Sequence, residues 1–228
     1  MNNTVPTPTQ VPGTPAPGQL SNLSLYANAP APCSCDPEHP DWDIPDDATC
    51  LAYWGRYDMP EHIRGHSLLV ARVATFLALG AREAGLSVSV PTVRASALLH
   101  DLAKAFTIEH GGSHSQLGAS WAVSLTKNPA LAQGVLHHVY WPYEVDIRKY
   151  FLPLAVIYGD KRVQHNDLVS LERRFKDLLD RYGKTEDLRK RIGLAHAQAR
   201  ELERLFGRLL EKELHASTFD CGRLVERA

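Results

Sequence analysis

Little in this sequence is extreme, and its shortages narrow it first. Only 4 of the 228 residues are cysteine, at 33, 35, 50 and 221, too few and too irregular for a disulfide framework. Net charge is −1 at pH 7, so no overall field favours nucleic acid or an anionic membrane. The densest apolar run, YFLPLAVIYG (150–159), falls short of the ~20 residues a membrane helix needs. The opening MNNTVPTPTQ lacks a basic stretch followed by an apolar one. No signal peptide is read there, and a cytoplasmic chain is expected. Strand character is confined to LSVSV (86–90), too short to imply a sheet. What remains is 44% hydrophobic and 22% charged, the balance of a soluble globular domain, with 11 histidines.

Residues 1–46 are dense in Pro, Thr, Ser and Asn, and VPTPTQVPGTPAPG has no helical or strand period. A disordered, polyproline-like leader is expected there. Cys33, Cys35, His39 and Cys50 lie at or just beyond its end. Their spacing matches no zinc module, and a loose, reduced linker is the simpler reading.

From about 47 the pattern turns helical. HSLLVARVATFLALGAREAG places His66, Leu69, Val70, Val73 and Leu77 on one face and stops at Gly85. PTVRASALLHDLAK opens on a proline suited to a first helical turn. HSQLGASWAVSL, NPALAQGVLHHV and EVDIRKYFLPLAVIYGDKRV follow, separated by Gly, Pro or Asn. LVSLERRFKDLLDRY reads as an amphipathic helix with Leu168, Leu171, Phe175, Leu178, Leu179 and Tyr182 inward. The fold class is therefore all-α: one helical domain over 47–183, then a long helix and tail over 184–228. In that last helix Leu188, Ile192, Ala195, Ala199, Leu202, Phe206 and Leu209 follow heptad spacing. Packing on the chain's own domain is the simpler use, and a homodimer through this helix is the alternative.

ALLHDLAK (97–104) ends an apolar run on a histidine and an aspartate. Burying either without a partner costs roughly 2–7 kcal/mol, and more for a charge, so something cationic must compensate. On a continuous helix His100, Asp101 and Lys104 lie toward one face, which Val93 and Ala97 mark as inward. His66 stands on the apolar stripe of the preceding helix, and Asp160 closes the most apolar helix in the chain. Two imidazoles and two carboxylates on inward faces suit a divalent ion taking both nitrogen and hard oxygen: Mn, Fe, Co, Ni or Mg rather than structural zinc. Two more histidines fit. His114 shares a face with Leu117 and Trp121. In VLHHV, adjacent side chains point ~100° apart. His138 shares its face with Val135 and Leu131 and is assigned inward; His137 goes to the rim, as a substrate or proton-transfer group.

The ordered series His66, His100-Asp101, His114, His138, Asp160 resembles the HD-domain superfamily of metal-dependent phosphohydrolases, over about 60–165. HDLAK stands where that family often has His-Asp-Ile-Gly-Lys. The order is similar to that of HD-type hydrolases of diadenosine tetraphosphate, and GDKRVQHNDLVSLERRF looks like a stretch of bacterial HD proteins without an assigned substrate. The resemblance implies a single HD helical bundle with one or two divalent ions. The first would sit on His66, His100, Asp101 and Asp160; the second, bridged by Asp101, on His114 and His138. It further implies hydrolysis of a phosphoester or phosphoanhydride of a small molecule, with a nucleotide favoured, by a metal-activated water. Asp101, Lys104 and His137 would be catalytic, while Lys104, Arg64 and Lys161 would face phosphate; Arg162 is expected to point away.

Some HD-fold proteins hold two irons on the same six ligands, so a di-iron oxygenase is the first alternative. A nucleotide-sensing module with little turnover is the second, kept by the proline-rich leader and the heptad-spaced helix. His62, His110, His165 and His196 are read as ordinary. The run RRFKDLLDRYGKTEDLRKR alternates bases with acids, as on a salt-bridged exposed face, and is not read as a nucleic-acid patch.

Overall fold

The structure, a computed structural model, describes residues 41–216 and residue 219. Cys33, Cys35 and His39, with the leader up to residue 40, lie outside the described residues. Cys50 is a buried free thiol, and burial pushes its pKa up to about 12.

The described chain is all-α, apart from one minimal hairpin. In order come α1 (Asp47–Arg56), α2 (Glu61–Glu83), α3 (Val90–Leu99), α4 (Lys104–His110), α5 (His114–Thr126), α6 (Pro129–His137) and α7 (Phe151–Lys161). The hairpin β1 (Val163–Gln164) and β2 (Asp167–Leu168) follows, then α8 (Leu171–Tyr182), α9 (Glu186–Leu210) and a 3-10 turn (Leu214–Ala216). Most starts are written in the sequence. Asp46, Ser89, Ser113, Asn128, Ser170 and Thr185 each stand just before a helix and accept a backbone N–H of its first turn. Such caps satisfy donors that the helix itself leaves unpaired. α2 ends as expected: Gly85 takes a positive φ of 83° and Leu86 N–H returns to the Ala81 carbonyl.

The core is built on α2, which packs against α3 and α7, while α3 and α7 both pack against α6. Val70, Val73, Ala74 and Leu77 of α2 are fully buried. Among the described helices α2 alone is long and apolar enough to cross a membrane, but 56% of that window is buried inside the fold. Its apolar face is occupied by other helices.

α6 approaches α3 and α7 unusually closely, through Gly134. A Cβ there would stand 2.2 Å from Ser96 Oγ and 2.7 Å from a Leu152 methyl. The serine cannot easily yield, because its hydroxyl donates to the Leu131 carbonyl at 2.8 Å. Below Asp160, Arg162 is buried and ties four segments together. It donates to Tyr158 Oη (2.6 Å), the Val169 carbonyl (2.8 Å) and the Leu214 carbonyl (2.6 Å), and pairs with Glu203 at 3.3 Å.

Several local expectations are corrected. LSVSV forms no strand: Val90 opens α3, with Ser89 as its cap. The strands are instead Val163–Gln164 and Asp167–Leu168, paired antiparallel across the two-residue turn His165-Asn166. Leu168 therefore belongs to β2, and Leu179 and Tyr182 of α8 are 40% and 54% exposed rather than inward. ALLHDLAK is not one helix. α3 stops at Leu99, and residues 100–103 form a turn before α4. EVDIRKYFLPLAVIYGDKRV becomes helical only at Phe151. In α9 the later apolar positions Ala199, Leu202 and Phe206 are buried, whereas Leu188 is 39% exposed.

Gly134→Ala should destabilise the protein by about 1–3 kcal/mol, the usual cost of overpacking a tight core. Urea unfolding would show it as a lowered midpoint at constant slope.

Candidate metal centre

Six side chains converge from five places in the chain. His66 comes from the second turn of α2. His100 caps the C-terminus of α3, and Asp101 is the first residue of the turn that follows. His114 opens α5, His138 caps the C-terminus of α6, and Asp160 sits in the last turn of α7. His100, Asp101 and His138 are at most 2% exposed, and His66 and Asp160 are also buried. Three of the contributing elements thus present their C-terminal ends. A helix C-terminus carries roughly half a negative charge, so the backbone itself favours a cation here.

Asp101 is common to two triads of potential ligands: His66, His100 and Asp101, and Asp101, His114 and His138. Within each triad the donor atoms lie within 4.8 Å of one another. Oδ1 of Asp101 is 3.5 Å from Nε2 of both His114 and His138, whose Nε2 atoms are 3.0 Å apart. Oδ2 faces the other way, 3.4 Å from His100 Nε2 and 3.9 Å from His66 Nε2. Asp160 Oδ1 joins this second side, 3.0 Å from His66 Nε2 and 3.9 Å from His100 Nε2.

Two of the imidazoles are held in the same way. Nδ1 of His100 donates to the Ala97 carbonyl and Nδ1 of His138 to the Val135 carbonyl, both at 2.7 Å. Each bond satisfies a carbonyl left over at a helix end, and each fixes the tautomer that leaves the Nε2 lone pair facing the cluster. His100 Nε2 and Asp101 Oδ1 are nevertheless buried without a hydrogen-bond partner among the described residues. Leaving such groups unpaired costs about 1–3 kcal/mol each, and more when charged. A divalent ion removes both costs at once, and mixed imidazole and carboxylate donors are what such an ion takes. The residues present fit the metal.

Electrostatics agree. Burial pushes the Asp101 carboxyl up, but His100, His138 and Lys104 together outweigh it and hold the group well below the usual range. Asp160 behaves likewise, burial being opposed by Lys161, His66 and Arg174. Burial, helped by the charge of His138, pushes His114 down to about 4. At neutral pH it is therefore uncharged, as a ligand must be.

The remaining candidates divide. Lys104 reaches the cluster: its Nζ is 2.7 Å from Asp101 Oδ2, and its side chain is 37% exposed. Lys161, expected at the rim, is instead buried. Its Nζ stands 2.5 Å from Asp160 Oδ2 and 3.4 Å from the His138 carbonyl. Arg64 donates to the backbone carbonyls of Met59 (2.6 Å) and Trp54 (3.5 Å), at the corner between α1 and α2. His137 packs edge-on against Trp141 and Tyr143. No hydrogen bond or ion pair joins Arg64 or His137 to the six among the described residues, although His137 adjoins His138 in the chain and feels its charge. One neighbour escaped the sequence reading altogether: Arg174 of α8, whose charge acts on both Asp160 and Lys104. It lies in the run set aside as an exposed face, although Leu171, Phe175 and Leu178 mark the inward side of the same helix.

A family model for the HD domain matches residues 63–185. The chain belongs to the HD domain family. The match spans all six clustered residues, and it makes this chain a member of a superfamily of metal-dependent phosphohydrolases whose His/Asp cluster suits a divalent metal. No curated protein and no solved structure matches the chain.

Two outcomes follow from this geometry. Asp101→Ala should strip bound divalent metal while leaving helicity intact, since Asp101 lies in a turn between helices; metal analysis beside far-UV circular dichroism checks both. The second concerns acid. Burial holds His137 at about 4 against 6.5 for the free side chain. Between those values the unfolded chain binds a proton that the folded one refuses, so stability falls as pH falls from about 6.5 toward 4. Chelator-treated protein should show a urea midpoint that drops between pH 7 and 5. His137→Phe should flatten part of that drop.

Proposed function

We propose that this HD domain hydrolyses a phosphoester or phosphoanhydride of a small phosphorylated molecule, with nucleotides the favoured class. The observation that supports it best is the pair of bare, buried donor atoms, His100 Nε2 and Asp101 Oδ1, at the junction of two ligand triads. Beside them stands a cation, Lys104, that is still open to solvent.

In this reading His66, His100, Asp101 and Asp160 hold one ion, and Asp101 is shared with a second on His114 and His138. A divalent ion so held supplies a lowered water pKa and a positive charge for phosphoryl oxygens. The chain supplies the rest. Asp101 offers one oxygen to each side, which fixes the two triads relative to each other. His100 and His138 cannot rotate, because their Nδ1 atoms are tied to Ala97 and Val135. Lys104 sits on a flexible stem at the mouth and swings from Asp101 Oδ2 to the phosphoryl oxygens, where charge grows in the transition state. Lys161 has no such freedom. It braces Asp160 and the end of α6, and binding substrate is not its task. A small molecule is proposed rather than a nucleic acid, since the bases of α8 and α9 alternate with acids along the sequence.

Lys104→Ala should keep the bound metal and lower turnover of a phosphoester by about 10²–10³-fold, the usual loss when one such charge is removed. Phosphate release from a panel of mononucleotides and dinucleoside polyphosphates, beside elemental analysis, tests the reading. Iron near two per chain, with oxygen consumption and no phosphate release, would overturn it in favour of an oxygenase.

A further inference from the structure

The two carboxylates of the metal centre are not placed alike. Asp101 turns one oxygen to each ligand triad. Asp160 turns Oδ1 to the imidazoles, 3.0 Å from His66 Nε2 and 3.9 Å from His100 Nε2. Its Oδ2 accepts from Lys161, whose Nζ stands 2.5 Å away. Lys161 lies in the last turn of α7 and is 6% exposed. The same ammonium donates to the His138 carbonyl at 3.4 Å, at the C-terminal end of α6. A helix C-terminus favours a cation, so the ammonium is held from two sides. Lys104, on Asp101, is by contrast 37% exposed and free to swing away.

That difference bears on which ion the centre accepts. A carboxylate meets a metal through one oxygen or through both. Two-oxygen ligation suits calcium, which takes about six to eight oxygen ligands in a flexible shell. Smaller ions that accept imidazole beside carboxylate need fewer ligands. The second oxygen of Asp160 is the one a large ion would recruit, and Lys161 already holds it. An ion that took Oδ2 would leave the ammonium buried without its carboxylate, and breaking a buried ion pair is strongly unfavourable.

We propose that Lys161 is a positioning residue that sets the ion preference of the centre: by holding Asp160 Oδ2 it restricts that aspartate to one-oxygen ligation and disfavours calcium against smaller ions such as manganese. The proposal rests on the reading above in which His66, His100, Asp101 and Asp160 hold one ion, and it is independent of the substrate. Charge alone would not give this preference. A nearby positive charge opposes all ions of charge two alike, whereas withholding one oxygen acts against the ion that needs more of them. The ratio of the two ions bound therefore separates the positioning role from simple charge balance and from a merely structural one.

The probes are the two metals alone. Metal-free protein is dialysed against equal concentrations of manganese and calcium, and both are measured in the protein by elemental analysis, with far-UV circular dichroism on every variant. Wild type should carry manganese in clear excess. Lys161→Met, close in length and uncharged, should raise the calcium-to-manganese ratio by about tenfold, and Lys161→Ala should raise it too. Lys161→Arg keeps a cation beside Oδ2 and should hold the ratio near that of wild type. An unmoved ratio in folded Lys161→Met or Lys161→Ala would overturn the assignment, as would loss of both ions from either, which would make the lysine a support only. Wild-type protein that takes calcium as readily as manganese would also overturn it, and that arm needs no variant to fold. The hydrolase reading fails separately. A Lys161-dependent ratio without phosphate release on the nucleotide panel leaves this proposal standing and removes that one, while phosphate release with a ratio indifferent to Lys161 does the reverse.

Discussion

Two carboxylates facing one buried pocket are the constraint around which this fold is arranged. Asp101 and Asp160 both approach His66 and His100, within 3.0–3.9 Å of their Nε2 atoms. Two carboxylates buried around the same pair of imidazoles repel each other, and the low dielectric of the interior screens that repulsion less than water would. The helix ends add to the negative field, because α3, α6 and α7 all point their C-termini at the pocket. The chain answers with one lysine on each carboxylate: Lys104 on Asp101 and Lys161 on Asp160. Those pairs leave Asp101 Oδ1 and His100 Nε2 unanswered. An ion of charge two, bound through nitrogen and oxygen, is the economical solution to the remainder.

The packing of the helices serves the same end. Gly134 lets α6 come close enough to α3 and α7 for His138 to meet Asp101. Placing His100 and His138 at helix C-caps solves two problems with one bond each, capping a carbonyl and fixing a tautomer. A histidine in mid-helix would do neither, since the carbonyls there are already taken. The break after Leu99, which the sequence reading missed, is therefore part of the site. It swings Asp101 out of the helix, where its two oxygens can face in opposite directions.

What was legible in the sequence follows from this physics. Inward assignment of the histidines rested on helical periodicity, which survives small errors in boundaries. His138 was separated from His137 by Val135 and Leu131, and the burial of His138 matches that separation. The all-α class was visible in the same periodicity, whereas the Ser, Asn, Asp and Thr residues that cap six of the helices were not singled out, although such residues favour that position. The hairpin was not visible. Four paired residues carry almost no periodic signal, and VQHNDL lacks the Asn-Gly or Asp-Gly turn that marks such hairpins. Arg64 and Lys161 were chosen for standing within two residues of a ligand in sequence, but side chains one and two residues apart on a helix point ~100° and ~200° apart. Arg174 was passed over for the complementary reason. It sits 14 residues beyond Asp160, among alternating charges, and the chain reverses through β1 and β2 before α8 packs back against α7.

A site ringed by helix C-termini attracts metal and repels phosphate for the same reason, so its own backbone cannot hold the substrate's anion. Phosphate sites elsewhere draw on N–H groups at helix N-termini. Here α5 enters by that end and gives its first residue, His114, to the metal ligands, and α2 gives His66 from its second turn. The anion must be met by long cationic side chains reaching in from elements outside the ring of ligands. In the proposed reading Lys104 does so from the start of α4, where its side chain is 37% exposed. A fold that commits its core helices to binding a cation has to take its anion contacts from side chains outside that ring.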